Sequence, residues 1–427
     1  MRKTILRLAI LAVVVVFALA ACGPKATPVP TADVTEPPVT APPVVIEPTA
    51  TEPPAPQEFT FGMVLVGAIN DHGWSQAHYD AGLYVEQTIP GAKMLYIENV
   101  YSGSPVLTGT TTSQLAEQLV AQGAQLILFN SDDMKDEATK FAQDHPDVPV
   151  IMASGDQVWQ DGEAYTAIPN MVNIMGRMEY GKMMAGCAAA LSSQTGKIGY
   201  LGPLINAETR RLVSSAYLGA KYCWTQAGKD PAALTFKVTW IGFWFYIPGF
   251  SSDPTQVADD FFNSGFDVVI SGIDTTEAMT EAKRLNDAGQ AVWSIPYDYK
   301  GACDQAPEIC LGVPYFNWGP AYVATIQSAI DGTFASNFQW NGPDWADINN
   351  PDTSAVGFAN GPALNTEVSA TLDTFITAMA GGLNLWTGPI NLQDGTVYLA
   401  DGVVGTDQQV WYLPQLLEGM EGQSVSQ

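Results

Sequence analysis

The sequence predicts an α/β protein of two similar lobes, each a parallel sheet covered by helices, with a ligand cleft between them. From residue 58 onward, short apolar runs alternate with amphipathic stretches. That rhythm marks parallel strands covered on both faces. It restarts after Met175, so the folded part divides into two consecutive units. The chain has 427 residues, 47% hydrophobic and 15% charged, which suits two or three domains each with its own core.

In chain order, residues 59–68 read as a strand and 75–87 as a helix. Residues 93–99 are strand-like, 113–122 helical and 125–130 a buried strand run, followed by helix 135–144 and strand 148–153. The second unit opens with a long helix to Leu191, then strand 197–201 and helix 207–227. Strand 235–241, helix 255–264, strand 267–272, helix 276–288 and strand 291–295 complete it. In open α/β sheets ligands lie beyond the carboxyl ends of the strands, so the cleft between lobes is the expected site.

Residues 1–22 pair a basic start with an apolar run of about 13 residues, too short to span a bilayer comfortably, and read as an export signal. The ending Leu19-Ala20-Ala21-Cys22 resembles the bacterial lipobox, which implies lipidation of Cys22. Residues 23–57 hold 11 of the 29 prolines and repeat Thr-Glu-Pro-Pro at 35–38 and 51–54. They read as a tether without a core, whose prolines favour extended polyproline II backbone. The expected boundaries are 1–22 signal, 23–57 tether, 58–175 with 300–350 as the first lobe, and 176–299 with 351–427 as the second.

With 44 acidic against 18 basic side chains, the chain carries a formal charge of −26. A phosphate backbone repels such a surface, so nucleic-acid binding is not expected. Three histidines leave little for metal chemistry, and neither a metal nor a cofactor is expected. Five cysteines cannot build a disulfide scaffold. Pairing of Cys303 with Cys310 and of Cys187 with Cys223 suits an exported protein, and buried free thiols are the alternative.

The strand ends carry the chemistry. Asp71, Trp74, Ser75 and Gln76 follow the first strand, and Asp132 lies past the third. Trp244 follows the strand near 240, Asp274 the strand ending near 270, and Asp298 the strand ending at Ile295. Trp318 follows the run 311–313. Aromatic faces beside carboxylates suit a small planar ligand with hydroxyl groups. Each residue also has a plainer role, since a tryptophan there is often core and an aspartate before a helix is often a cap.

Asp71-His72-Gly73-Trp74-Ser75-Gln76-Ala77-His78-Tyr79 resembles the signature that follows the first strand in the basic membrane protein (Bmp) family of lipoproteins. Phe141–Val148, Gly176–Gly181, Trp240–Phe245 and Leu385–Ile390 are similar to further stretches of that family, in the same order. These are substrate-binding proteins of ABC transporters, including purine-nucleoside binders. The resemblance implies a type I periplasmic-binding fold of two Rossmann-like lobes joined by three crossovers. It implies a monomer, lipid-anchored outside the cell membrane, that delivers a nucleoside-like ligand to an ABC permease and catalyses nothing. Carried over, Asp71 hydrogen-bonds the ligand, Trp74 and Trp244 sandwich a ring, Asp274 and Asp298 take sugar hydroxyls, and Trp318 lines the cleft. Ser75, Ser214 and Lys300 depart from the nucleoside binders at positions where other residues are common. A sensor presenting its closed form to a membrane signalling partner is the alternative.

An enzyme is the less favoured reading. Paired carboxylates near aromatics also describe glycosidases. Yet the chain has no Gly-x-Ser-x-Gly, His-Glu-x-x-His or Cys-x-x-Cys, and Thr195-Gly196-Lys197 lacks the rest of a phosphate loop.

Overall fold

The computed structural model describes residues 58–425. The expected export signal, Cys22 and the segment expected to be a tether lie outside the described residues. The first unit runs β1 (Phe59–Val64), α1 (Trp74–Thr88), β2 (Ala92–Ile97), α2 (Thr112–Ala121), β3 (Leu126–Phe129), α3 (Lys135–Asp144), β4 (Val150–Ala153) and β5 (Met171–Gly176). Next come α4 (Met178–Ser192), β6 (Lys197–Gly202), α5 (Ala207–Gln226), β7 (Thr235–Trp240), α6 (Pro254–Asn263), β8 (Val268–Ser271), α7 (Glu277–Asp287) and β9 (Trp293–Ile295). The chain continues through β10 (Gly312–Phe316), α8 (Gly319–Ile330), β11 (Asn337–Asn341), β12 (Val356–Asn360) and α9 (Thr366–Ala380). It ends with β13 (Ile390–Asn391), β14 (Val397–Leu399), α10 (Asp407–Trp411) and β15 (Met420–Glu421).

The first sheet has the order β11-β5-β4-β3-β1-β2 and every pair is parallel. All residues of β3, β4 and β5 are buried, as helices on both faces require, while edge strand β2 is partly exposed. The second sheet has the order β15-β7-β6-β8-β9, again parallel. In each sheet the unit's first strand, β1 or β6, sits inside with its successors on opposite sides. The strand order therefore reverses beside β1 and beside β6, and the crevice beyond the carboxyl ends opens at those points. The chain passes between lobes at 176–178, 316–319 and 341–356.

Residues 300–316, expected in the first lobe, stand in the second. The bridges Ser294–Cys310 and Asp298–Tyr315 attach β10 beside β9, and β12 pairs antiparallel with β10. The C-terminal segment, expected wholly in the second lobe, also reaches the first. Tyr412 stacks on Trp159 at 5.8 Å, and its hydroxyl accepts from Glu163 N at 2.7 Å. Strand β5 has no counterpart in the sequence reading because Asn173 interrupts its apolar run. The side chain is buried, donating to Ser154 O and Gln157 Oε1 and accepting from Val158 N.

Both cysteine pairs form disulfides, Cys187–Cys223 joining α4 to α5 and Cys303–Cys310 closing the loop before β10. Helices α4 and α5 touch backbone to backbone. A Cβ at Gly186 would lie 1.8 Å from Ala216 O, and one at Gly219 would lie 2.0 Å from Met183 O.

Candidate functional site

One pocket opens beyond the carboxyl ends of both sheets, where ligands of open α/β folds lie. The first lobe supplies Trp74, Ser131, Asp132 and Ser154; the second supplies Tyr200, Glu208, Thr209, Leu212, Trp244, Asp274 and Tyr297, with Pro203 and Gly272. Of the expected ligand residues, Trp74, Asp132, Trp244 and Asp274 meet on this wall.

The other five expected residues are not on it, for local reasons. Asp71 caps α1: its carboxylate accepts from the amides of Gly73 (2.9 Å), Ser75 (2.9 Å) and Gln76 (3.0 Å). Burial raises its pKa to about 6 although those amides pull it down. Ser75 is fully buried and its hydroxyl accepts from Gly67 N at 2.8 Å. Gln76 turns back to accept from His72 N. Trp318 stacks on His78 at 4.4 Å and on Phe316 at 4.7 Å, in the layer that carries Trp74. It lines a separate depression with Tyr84 and Tyr315. Asp298 is fully buried with φ +69°, a conformation aspartate tolerates better than most residues. Its amide donates to Pro314 O and its carbonyl accepts from Phe316 N, so its backbone stitches β10 onto the second sheet.

The pocket side chains are held from behind. Trp74 opens α1, and its indole N–H donates to Asn130 O at 2.6 Å, locking it to the end of β3. Phe316 and Trp318 meet its ring edge-on, both at 5.3 Å. Trp244 is half-buried and its carbonyl accepts from Asp274 N at 2.9 Å, which ties the two second-lobe loops together. A capping box between Asn206 and Thr209 starts α5 at the pocket and puts Glu208 in its first turn.

The electrostatics are one-sided. Burial pushes Asp132 up, with Lys135 opposing. Burial raises Glu208 to about 7; Arg211 opposes, and Asp132 and Glu179 add to the rise. Burial, then the charges of Asp298, Asp71 and Glu208, hold Asp274 well above the usual carboxylate range. Burial likewise lifts Asp298, with Lys182 opposing. Lys182 is fully buried and pushed well below its usual range by burial. Its ammonium donates to Ser271 O at 2.8 Å and lies 3.1 Å from the centre of the Tyr297 ring. Among the described residues no cluster of three His, Cys, Asp or Glu could hold a metal ion. The wall thus carries carboxyl and hydroxyl groups beside two indoles, and suits holding a polar ring.

Ser131, Ser154, Tyr200, Glu208, Thr209 and Tyr297 are wall residues that the sequence reading did not select. Tyr297 stood in a strand-end segment beside Asp298, and no local signal marked which of the two faces the pocket, because the left-handed backbone of Asp298 decides it. Glu208 had the signal of a first-turn position after β6. Tyr200 had none, because it lies within a strand.

The lobes meet around the pocket. Tyr101 of the first lobe packs edge-on against Phe245 of the second at 5.2 Å. Gly73 abuts Asp274, and a Cβ there would lie 1.7 Å from Asp274 O.

The model of the Bmp family, described as ABC transporter substrate-binding protein PnrA-like, matches residues 59–368. A purine-binding protein of Brucella abortus is 27% identical over 338 residues, covering 78% of this chain and 85% of the relative. A putative ABC transporter glucose-binding protein of Haloferax volcanii, TsgA13, is 26% identical over 280 residues, 65% of this chain and 63% of that one. Among solved structures, a solute-binding protein from Aeropyrum pernix matches with a TM-score of 0.60 at 13% identity, covering 83% of this chain and 95% of that one. One from Conexibacter woesei matches at 0.54 and 16% identity, covering 76% and 98%. These likenesses give the fold, the type I periplasmic-binding architecture. With the family model matched over most of its length, the chain belongs to the Bmp family of ABC transporter substrate-binding proteins, which are binding proteins and not enzymes.

Proposed function

We propose that this chain is the lipid-anchored, extracytoplasmic binding protein of an ABC importer, capturing a nucleoside or related planar molecule in the pocket described above. The observation that carries the reading is the pair Trp74 and Trp244, brought from opposite lobes to one pocket with Asp274 on its wall. The purine-binding relative supports a planar ligand, and the lipobox-like ending at Cys22 supports the anchor. In this reading the indoles hold the ring, and Asp274, with Asp132 across the cleft, accepts from its hydroxyl or amino groups. Asp298 acts from beneath, through its charge on Asp274.

Native mass spectrometry of the protein extracted from its own membranes tests both parts. It is expected to show a diacylglyceryl mass on Cys22 and one retained nucleoside-like molecule, released unaltered. Trp74→Ala and Trp244→Ala should each weaken that ligand by about 10–100-fold, the range expected for loss of a base–aromatic stack. Recovery of a hexose instead would remove the ligand assignment and leave the pocket standing.

A further inference from the structure

The pocket wall carries three carboxylates and no cationic side chain. Asp132 has a partner on its own turn, the Lys135 ammonium at 3.4 Å. Glu208 and Asp274 differ: neither carboxylate accepts a hydrogen bond of good geometry from a described residue. Asp274 is only 6% exposed, and that remainder faces the pocket. Beside it, both oxygens of the fully buried Asp298 are also without a well-formed hydrogen bond.

Neither of the two buried basic side chains nearby lines the pocket. Lys182 donates a hydrogen bond to Ser271 O and covers the face of Tyr297. Arg211 is held by Glu179 at 2.6 Å and lies over Trp411 at 4.0 Å. An unpartnered carboxylate out of water is costly, so burial keeps these carboxyls protonated above the usual range, and an occupant that brings positive charge offsets that cost. The faces of Trp74 and Trp244 attract cations as well, through the ring quadrupole.

We propose that the pocket selects its planar ligand by charge, taking a cationic ring ahead of its neutral counterpart and rejecting an anionic one. This deepens the preceding reading and rests on its choice of pocket, but not on the ligand being a nucleoside. Glu208 and Asp274 are the selecting residues. A phosphorylated ligand would meet three carboxyl groups and no cationic side chain on the wall. A cationic ring lets Glu208 release the proton it holds up to about pH 7 in the empty pocket. Arg211, Asp132 and Glu179 are the charged groups bearing on Glu208; Asp298, Asp71, Glu208 and Glu277 bear on Asp274.

Calorimetric titration of the whole chain with two charge ladders tests this. One ladder is adenosine 5′-monophosphate, adenosine and 1-methyladenosine. The other, free of any sugar, is nicotinate, nicotinamide and 1-methylnicotinamide. In whichever ladder binds, the cation should be at least about tenfold tighter than the neutral member and the anion undetectable. Affinity for the cation should rise between pH 6 and 7.5 as Glu208 ionises, while the neutral member's stays level. Glu208→Gln and Asp274→Asn should each cut the cation's advantage several-fold without lowering the thermal midpoint. Binding in the second ladder alone would defeat the nucleoside assignment and keep charge selection. Adenosine as tight as 1-methyladenosine would do the reverse. Failure of both cations to bind, or an advantage surviving both substitutions, overturns the proposal.

Discussion

At residue 73 the two lobes leave no room for a side chain. A Cβ there would press into the carbonyl of Asp274, the residue whose carboxylate faces the pocket. Closure therefore depends on glycine at the start of α1, quite apart from backbone flexibility. Gly73→Ala should prop the lobes apart and weaken the retained ligand at least about tenfold, near 1.4 kcal/mol, with little change in the melting of the empty protein. Titration of the variant beside a thermal melt checks this; wild-type affinity would show that the lobes close around a methyl group. Asp71, two residues earlier, teaches the complementary lesson. Its type and place were legible, but three amides of the nascent helix already claim its oxygens, so it orders the loop that presents Trp74.

At the scale of elements, α4 and α5 form the hub of the second lobe. They are bonded through Cys187–Cys223 and pressed together at Gly186 and Gly219. Between them runs the Arg211–Glu179 ion pair, 1% and 5% exposed. Removing one partner strands a buried charge, which costs far more than the intact pair contributes. Glu179→Ala should lower stability by about 3–5 kcal/mol, read as a shifted denaturant midpoint. Glu179→Gln, which keeps an acceptor, should lose less. Because Arg211 also supports Trp411, and α10 is tied to the first lobe's crossover through Arg177–Asp407 at 2.7 Å, both variants should loosen the C-terminal segment too.

For the whole molecule, partly and fully buried ionisable groups set a pH profile. Glu208 is raised from 4.5 to about 7 and Asp71 from 3.8 to about 6. A carboxyl with a raised folded pKa adds stability below its unfolded value and loses it as pH climbs through the folded one. His78 acts in the opposite sense: burial holds it well below 6.5, so its contribution is present above that value and lost on acidification. Between about pH 6.5 and 8 the carboxyl effect contributes a falling slope to the empty protein's thermal midpoint, opposed by Lys182, which burial holds well below its usual range and which adds stability as pH rises. Glu208→Gln should flatten that slope; an unaltered slope would remove Glu208 as its source.

Sequence alone determined the α/β class, the two units and most element positions. Apolar runs such as 126–129 and the helical spacing of 135–144 are local signals that packing reinforces. It also brought the strand ends forward, and with them Trp74, Asp132, Trp244 and Asp274. Only the tertiary structure decided which strand-end residues meet. Strand order is set by pairings between segments far apart in the chain, and a single left-handed residue turned Asp298 off the wall while Tyr297 stayed on it. The same long-range packing put Trp318 behind Trp74, moved β10 into the second lobe and left Glu208 and Asp274 without an ion-pair partner among the described residues. A carboxylate's neighbours come from other loops and from the opposite lobe, so residue type and spacing cannot specify its charge environment.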